Sequence, residues 1–574
     1  MKFILFCLLL ACTVFSETAP QYSVIDIPPP PTKFKNIQID GLTFLPNGKL
    51  VVCLPSGEIF VRDNKEDKWE LFAEGLHNPL GVIALSNTEL IVTQRPELTR
   101  IRDLNGDGKA DDYEVVTDQF GMSGNYHEFN FTPVRDTQGN YFFALGTGSS
   151  GDGVRSITRG TFNEKGRPGR MHSSAPYRGC VMKYTAEGKT IPYSYGHRTP
   201  NGLGFDLKGN LFVTDNQGDW VGSSKLFHVQ QDRFYGHAAS LAWKEGFEGV
   251  PVDSPVEKLA KLRTRACVVF PHGTMANSPT EVLAISENAH FGPFTGQLLV
   301  GEMNKPRIVR VMLEEVGGEL QGACVPFIDG SPLGRGCNRM AWAPDGSLFV
   351  GQTKHTWAGG QGIQQVSWNG KTPFEIQNME LTKKGFKFTF TQPVDKKVAL
   401  EKENWPFKRY FFEYRKAYGS PRSDEKSVAI SKIEISGNGT IVELTLPTSP
   451  GGEATAEPSF RLEVIVREDS LEVSDTKSIL ASIPTMEGEY DLATLSGMMI
   501  TIKQEHPDST DASVLLEPEI EYDHLIQVMD VVRSATLPAN EVTAELTGVV
   551  TAATVDQEAV RIALFTDISI GDAP

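Results

Sequence analysis

Residues 41–63 read GLTFLPNGKLVVCLPSGEIFVRD. Three short runs rich in Leu, Val, Phe and Ile are separated by PNG and PSG, and Gly beside Pro, Asn or Ser is the composition of tight turns. The stretch therefore reads as three strands joined by two turns. The unit returns as GVIALSNTELIVTQRPELTRIRD at 81–103, EFNFTPVRDTQGNYFFALG at 128–146 and GLGFDLKGNLFVTDNQG at 202–218. A more divergent copy, EVLAISENAHFGPFTGQLLVGEMNKPRIVRV, occupies 281–311, and MAWAPDGSLFVGQT occupies 340–353. A unit of three or four strands cannot bury its own faces. Six of them set around an axis bury both faces and leave only short edges. The expectation is a mainly β chain with a six-bladed β-propeller over 35–430, in which alternation such as LFVTD at 211–215 marks half-buried strands.

Composition changes after the repeats. Residues 451–574 hold 24 Asp and Glu against 6 Lys and Arg, while the first 450 residues are near neutral and contain all 7 Trp. A linker is expected over 431–459, where LPTSPGGEATAEPS is rich in Gly, Pro, Ser and Thr. Beyond it, 460–574 reads as a small α/β domain. RLEVIVREDSLEVSD gives one or two strands, DLATLSGMMITIKQE a helix, ASVLLEP a strand, EYDHLIQVMDVVRSA a helix and AVRIALFTD a last strand. Leu525, Val528, Met529 and Val532 share one face of the second helix, the spacing of a core stripe. Neither half carries the basic excess that nucleic-acid binding needs.

The leader MKFILFCLLLACTVFS, 1–16, combines a Lys, an apolar run and small residues, the pattern of a secretory signal. Export to the periplasm or the medium is expected, with LLLAC leaving open a lipid anchor at Cys12. In that oxidising compartment Cys53, Cys180, Cys267, Cys324 and Cys337 are either buried small hydrophobes or include a Cys324–Cys337 pair.

Two sets of residues carry candidate chemistry. In DLNGDGKADDYE, Asp103, Asn105, Asp107, Lys109 (through its carbonyl), Asp111 and Glu114 stand at positions 1, 3, 5, 7, 9 and 12, with Gly108 at 6. That spacing is the one that wraps oxygen ligands around calcium. Separately, His127 in GNYHEFNF and Arg198 in YGHRTPNGLGF both lie where a repeat begins. Starts of different repeats converge in a radial array, so the two are expected in one pocket, His127 as a base and Arg198 as an anchor for a carboxylate or carbonyl. His197, Asn201, Asp215, Asn216, Gln217 and Asp219 offer polar groups nearby. Arg339 repeats the placement of Arg198, and Lys305, Arg307, His237 and His272 are weaker candidates. No P-loop, HExxH or GxSxG stretch occurs, and no GxGxxG follows a first strand.

The run YGHRTPNGLGFDLKGNLFVTDN, 195–216, resembles the central signature of the soluble quinoprotein glucose and sorbosone dehydrogenases. The resemblance implies a secreted propeller that uses pyrroloquinoline quinone and calcium to oxidise a sugar or polyol. Arg198, Thr199 and Asn201 match the quinone-binding positions, with Thr199 and Asn201 standing where that family has asparagine and glutamine. His127 matches the catalytic base, and Lys305 and Arg339 join the candidate cofactor-binding set as cations. Two other readings stay open, a uronate-acting carbohydrate lyase using His127 and Arg198 and a non-catalytic binding protein. The acidic tail resembles the periplasmic domain of the ExbD/TolR biopolymer-transport family. That likeness implies docking to an envelope protein or peptidoglycan, or pairing with a second copy.

Overall fold

The structure, a computed structural model, describes residues 21–354 and 359–447, then 462–475, 479–486, 488–506, 509, 511–517, 520, 522–538, 559–565 and 567–572. The leader at 1–16, Cys12 and most of the Gly- and Pro-rich run after 447 lie outside them.

Six four-stranded antiparallel sheets follow one another along the chain, each with its strands in chain order except the last. Sheet I is Gly41–Phe44, Leu50–Cys53, Ile59–Asp63 and Lys68–Ala73. Sheet II is Gly81–Ala84, Glu89–Thr93, Leu98–Arg102 and Asp112–Thr117. Sheet III is Asn130–Arg135, Tyr141–Leu145, Cys180–Tyr184 and Thr190–Tyr195. Sheet IV is Gly202–Phe205, Leu211–Asp215, Ser224–Val229 and Val268–Phe270. Sheet V is Pro279–Ala284, Leu298–Glu302, Arg307–Val316 and Glu319–Asp329. Sheet VI is Cys337–Trp342, Leu348–Gln352 and Gly362–Trp368, completed by Tyr22–Ile27. The first strand of each sheet packs on the first strand of the next, and that of sheet VI packs on that of sheet I. The architecture is mainly β and propeller-like.

This cycle explains a departure from the expected alternation. Leu211–Asp215 is buried along its whole length, as are Leu50–Cys53, Tyr141–Leu145, Leu298–Glu302 and Leu348–Gln352. A neighbouring sheet covers both faces of each, so no position faces water, and each fully buried Val, Leu or Ile contributes about 1.5–3 kcal/mol. Turn glycines make the close approach feasible. At Gly57 φ is +96°, and a Cβ would stand 2.1 Å from the Leu76 carbonyl oxygen.

Two boundaries differ from expectation. Tyr22–Ile27 runs antiparallel to Gly362–Trp368, from Tyr22 opposite Trp368 to Ile27 opposite Ile363. The repeats are thus closed by a strand upstream of 35, invisible to a search for adjacent strand pairs. At the other end, 431–459 does not begin as a linker. Lys432–Ser436 and Ile441–Thr445 complete a sheet with Ile376–Thr382 and Gly385–Phe390, around Phe388, Ile430, Val442 and Leu444. Between these strands the chain returns as a strap, 412–420, to the turn after Leu211–Asp215. The Trp220 N–H bonds the Arg415 carbonyl, and the Gly419 N–H bonds the Gly218 carbonyl.

The C-terminal unit has a sheet in the order Ile479–Pro484, Ser470–Ser474, Leu462–Val466, Asp511–Leu516 and Asp567–Asp572. The last three strands are parallel. Helices Leu492–Glu505 and Tyr522–Arg533 accompany it, the first capped by Asp491, which accepts the Thr494 N–H at 3.0 Å. Leu525, Val528 and Val532 are buried in its core, with Met529 partly so. Among the described residues no helix is long and apolar enough to cross a membrane. Cys53, Cys180, Cys267, Cys324 and Cys337 are all free, so the Cys324–Cys337 pairing is absent.

Candidate functional site

Arg339 shows how the sheets meet. Its side chain is buried, and its Nε donates to the carbonyls of Asp40 at 3.0 Å and Leu80 at 2.9 Å, the residues just ahead of sheets I and II. Its Nη1 donates to the Asn201 side chain, ahead of sheet IV, at 3.2 Å and to the Asn338 carbonyl at 2.9 Å. One guanidinium thus ties together the lead-ins of four sheets. Arg339 and Asn201 were expected to hold a cofactor, but Arg339 is spent on Asn201 and backbone carbonyls, the Asn201 amide is turned to Asn338 and Met303, and neither lines the cleft that holds Arg198. Lys305 departs as well: its ammonium is held by the Gly273 carbonyl and does not line the cleft.

His127, Arg198 and Thr199 do come together. They line a cleft of about 320 Å³ with eleven other residues, among them Tyr126, Arg170, Asn216, Gln217, His272 and Tyr418. None of the fourteen is Asp or Glu. Asn216 Oδ1 and Asn304 Oδ1, both on residues lining it, are buried without a hydrogen-bond partner in the protein.

Buried carboxylates behind the wall set its shape. Asp215, the last residue of its strand, accepts the N–H groups of Arg198 at 2.8 Å, Thr199 at 2.7 Å and Asn216 at 3.0 Å. Glu302 ends the equivalent strand of sheet V and accepts from Asn277, Ser278 and Asn304, each at 3.0 Å. All six partners line the cleft. Burial pushes both carboxyls upward, and the backbone donors pull against it.

His127 Nδ1 lies 2.9 Å from the Thr147 carbonyl. A carbonyl only accepts, so Nδ1 carries the proton and Nε2 keeps its lone pair. Burial, followed by the Arg198 charge, pulls this imidazole down to about 3. Thr147 also couples the two residues, donating its N–H and hydroxyl to the Arg198 carbonyl at 3.1 and 2.9 Å. Arg198 Nη1 donates to Thr199 Oγ1 at 3.1 Å, and its Nε stands 3.6 Å from Asp219 Oδ1. Gly218 leaves room for it: a Cβ there would sit 2.1 Å from Arg198 Nε. The adjacent His197 turns the other way, buried and stacked on Tyr235 at 5.0 Å and bonded to Ser194. His237 stands behind the wall and pairs with Asp219 at 3.0 Å. Arg307 pairs with Asp329 at 2.7 Å.

The twelve-residue loop does not assemble as a metal shell. Asp103 accepts the Gly106 and Gly108 N–H groups at 2.6 and 2.9 Å, and Asp111 accepts those of Leu104 and Asn105 at 2.9 and 3.3 Å. Asn105 and Asp107 likewise cap backbone N–H groups of the loop, of Asp107 and Lys109. Glu114 is drawn to Arg102 at 2.9 Å, because strand Asp112–Thr117 pairs it into sheet II. Among the described residues no three His, Cys, Asp or Glu side chains group closely enough to hold a metal. Asp103→Ala is therefore expected to lower stability by about 1–2 kcal/mol through its two lost backbone bonds, equally with and without a chelator, read from urea midpoints.

Sequence reasoning passed over Tyr126, Ser149, Arg170, Met171, Asn277, Ser278, Asn304 and Tyr418. Glu302 and its loop had a signal, since Glu302 closes its strand as Asp215 does. Tyr418 lies in the aromatic, basic stretch WPFKRYFFEYRKAYGSPRS, 405–423, whose composition suits a segment that belts or covers the array, but nothing local ties 412–420 to sheet IV.

The family described as Domain of unknown function (DUF7133) matches residues 60–352, just over half of the chain. The chain belongs to the DUF7133 family. The DUF7133 match runs from sheet I to the second strand of sheet VI and includes every cleft residue except Tyr418. No curated protein matches the sequence. Solved structures similar to this DUF7133 chain include a putative glucose dehydrogenase from Thermus thermophilus, at 18% identity over 60% of this chain and 100% of that one, TM-score 0.40. Another is the pyranose dehydrogenase PQQ domain from Coprinopsis cinerea, at 13% identity, 61% and 96% coverage, TM-score 0.43. A gluconolactonase from Xanthomonas campestris matches at 13% identity, 61% and 91% coverage, TM-score 0.35. Within these comparisons nothing corresponds to the ExbD/TolR likeness of 460–574.

Proposed function

We propose that the six sheets are the blades of one propeller and that its cleft binds a sugar- or polyol-class molecule and oxidises it with a quinone as acceptor. The observation that carries this reading is that His127, with its Nε2 left unprotonated, and Arg198 line one cleft, with Thr147 tying the His127 Nδ1 to the Arg198 backbone. His127 takes the proton of the reacting hydroxyl, and Arg198 anchors a carboxylate or carbonyl through fixed donors. The donor-rich, carboxylate-free lining fits the acid groups of pyrroloquinoline quinone, which Arg198, Thr199 and the amides of Asn216 and Gln217 would hold. When bound, that group supplies hydride acceptance. The orphaned Asn216 and Asn304 oxygens suit donation from substrate hydroxyls. Export through the leader at 1–16, and docking of 460–574 to an envelope protein, peptidoglycan or a second copy, complete the reading.

The full chain loaded with the quinone, with and without calcium, is expected to reduce a redox dye on a panel of sugars and polyols. No turnover on any sugar, with glycan binding retained, overturns the redox reading in favour of a binding propeller. Release of unsaturated uronate without dye reduction selects a lyase instead.

A further inference from the structure

A buried carboxylate backs the Arg198 guanidinium. Asp219 Oδ1 lies 3.6 Å from Arg198 Nε, and the two residues are 5% and 9% exposed. That distance is too long for a hydrogen bond, and neither atom has a hydrogen-bond partner in the protein. The contact is one of charge. Asp219 is not part of the cleft lining, whereas Arg198 is. With Nη1 on Thr199 Oγ1 at 3.1 Å and Nε turned to Asp219, Nη2 is the nitrogen left to a ligand. The guanidinium has no room to retreat, because Gly218 packs so closely that a Cβ there would sit 2.2 Å from Arg198 Cδ.

Asp219 is itself held in place. Its Oδ2 accepts from His237 Nε2 at 3.0 Å and from the Met171 N–H at 3.3 Å, and its backbone bridges to Tyr418 on the strap. A carboxylate only accepts, so His237 Nε2 carries the proton. Among the described residues nothing accepts from His237 Nδ1, and a second proton there would make a buried N–H with nothing to bond. The imidazole is thus neutral, and the Asp219 charge is directed at Arg198. Asp215 differs, since its oxygens are taken up by the N–H groups of Arg198, Thr199 and Asn216. A lining free of acids with an uncompensated arginine would favour sugar acids over sugars. The acid behind the wall restores the balance.

We propose that Asp219 is a specificity-determining residue of the cleft: it offsets the Arg198 charge, so that the guanidinium takes an uncharged carbonyl or hydroxyl oxygen almost as readily as an acid group. The inference rests on the reading that this cleft is the ligand site, and it deepens that reading by admitting neutral polyols and sugars beside their acids.

Calorimetric titration of the full chain with D-gluconate and D-glucitol, which differ only in whether C1 is a carboxylate or a hydroxymethyl group, tests it without any turnover. In the parent the two are expected to bind within about tenfold of each other. Asp219→Asn keeps an acceptor for His237 and Met171 but loses the charge. It is expected to tighten gluconate about tenfold and leave glucitol unchanged, the difference between a hydrogen bond to a charged partner and one to a neutral partner. His237→Gln, a neutral donor at the same place, is expected to keep the parent's preference. Thermal melts show that each variant is folded. Gluconate bound more than about a hundredfold more tightly than glucitol by the parent overturns the inference, whether or not either variant folds. So does an Asp219→Asn variant that binds gluconate no more tightly than the parent, or a His237→Gln variant that shifts the preference. Binding of neither probe overturns it together with the cleft as a sugar site. Dye reduction that fails while the Asp219→Asn effect is seen overturns only the oxidation reading.

Discussion

His127→Ala is expected to lower kcat by about 10²–10⁴ while the affinity for substrate changes far less. His127 lines the cleft and its Nδ1 is committed to the Thr147 carbonyl, which leaves Nε2 as the nitrogen with a lone pair. Removing it deletes the group that receives the hydroxyl proton but leaves Arg198, Thr199 and Asn216 on the lattice of bonds that Asp215 provides. The pH dependence should also differ from that of an ordinary histidine base. Burial and the nearby Arg198 pull its imidazole down to about 3. The protonated, inactive form is therefore populated only near or below that value, so the rate has no inflection from His127 between pH 5 and 8. Steady-state dye reduction across that range checks both points. A fall in rate centred on pH 6.5 would show an exposed, ordinary imidazole doing the work.

Arg339→Ala is expected to cost about 3–5 kcal/mol of stability, the usual penalty for breaking a buried charged network. The substitution strips donors from the Asp40 and Leu80 carbonyls and from Asn201 Oδ1, all buried away from water. It also removes the positive charge beside Glu281, whose carboxyl is already pushed up by burial to about 7. Arg339→Lys keeps charge but cannot span four partners with one planar fork, so it should recover only part of the loss. Urea denaturation followed by tryptophan fluorescence reads the difference. A midpoint indistinguishable from the parent would mean that packing between sheets alone sets the array.

Strand pairs such as 41–53 and 202–215 were legible because each closes on itself within a dozen residues and announces its turn with Gly and Asn. YSVIDI at 22–27 was not, since its partner lies more than three hundred residues away. The shared location of His127 and Arg198 followed from the repeat geometry. The opposite fates of neighbouring residues did not: His197 packs into the core and Arg198 opens to the cleft, although both precede the same strand. Asn201 and Arg339 look like ligand groups in sequence because polarity before a strand says nothing about whether a partner already waits inside. The DxNxDGxxD spacing is open to a second use. Asp and Asn at those offsets satisfy backbone N–H groups as readily as a cation, and Glu114 stands opposite Arg100 in the sheet and pairs with Arg102.

The strand Tyr22–Ile27 also bears on how the chain reaches its native state. Its hydrogen-bond partner, Gly362–Trp368, is among the last parts of the array to be made. Until then the opening segment has nowhere to dock, and sheet VI keeps a bare edge. Loop closure over so long a separation is slow, and an unpaired edge invites pairing with other chains. Maturation of this molecule is thus gated by the meeting of its two most distant strands, and the interval before they meet is when a nascent chain most needs shielding.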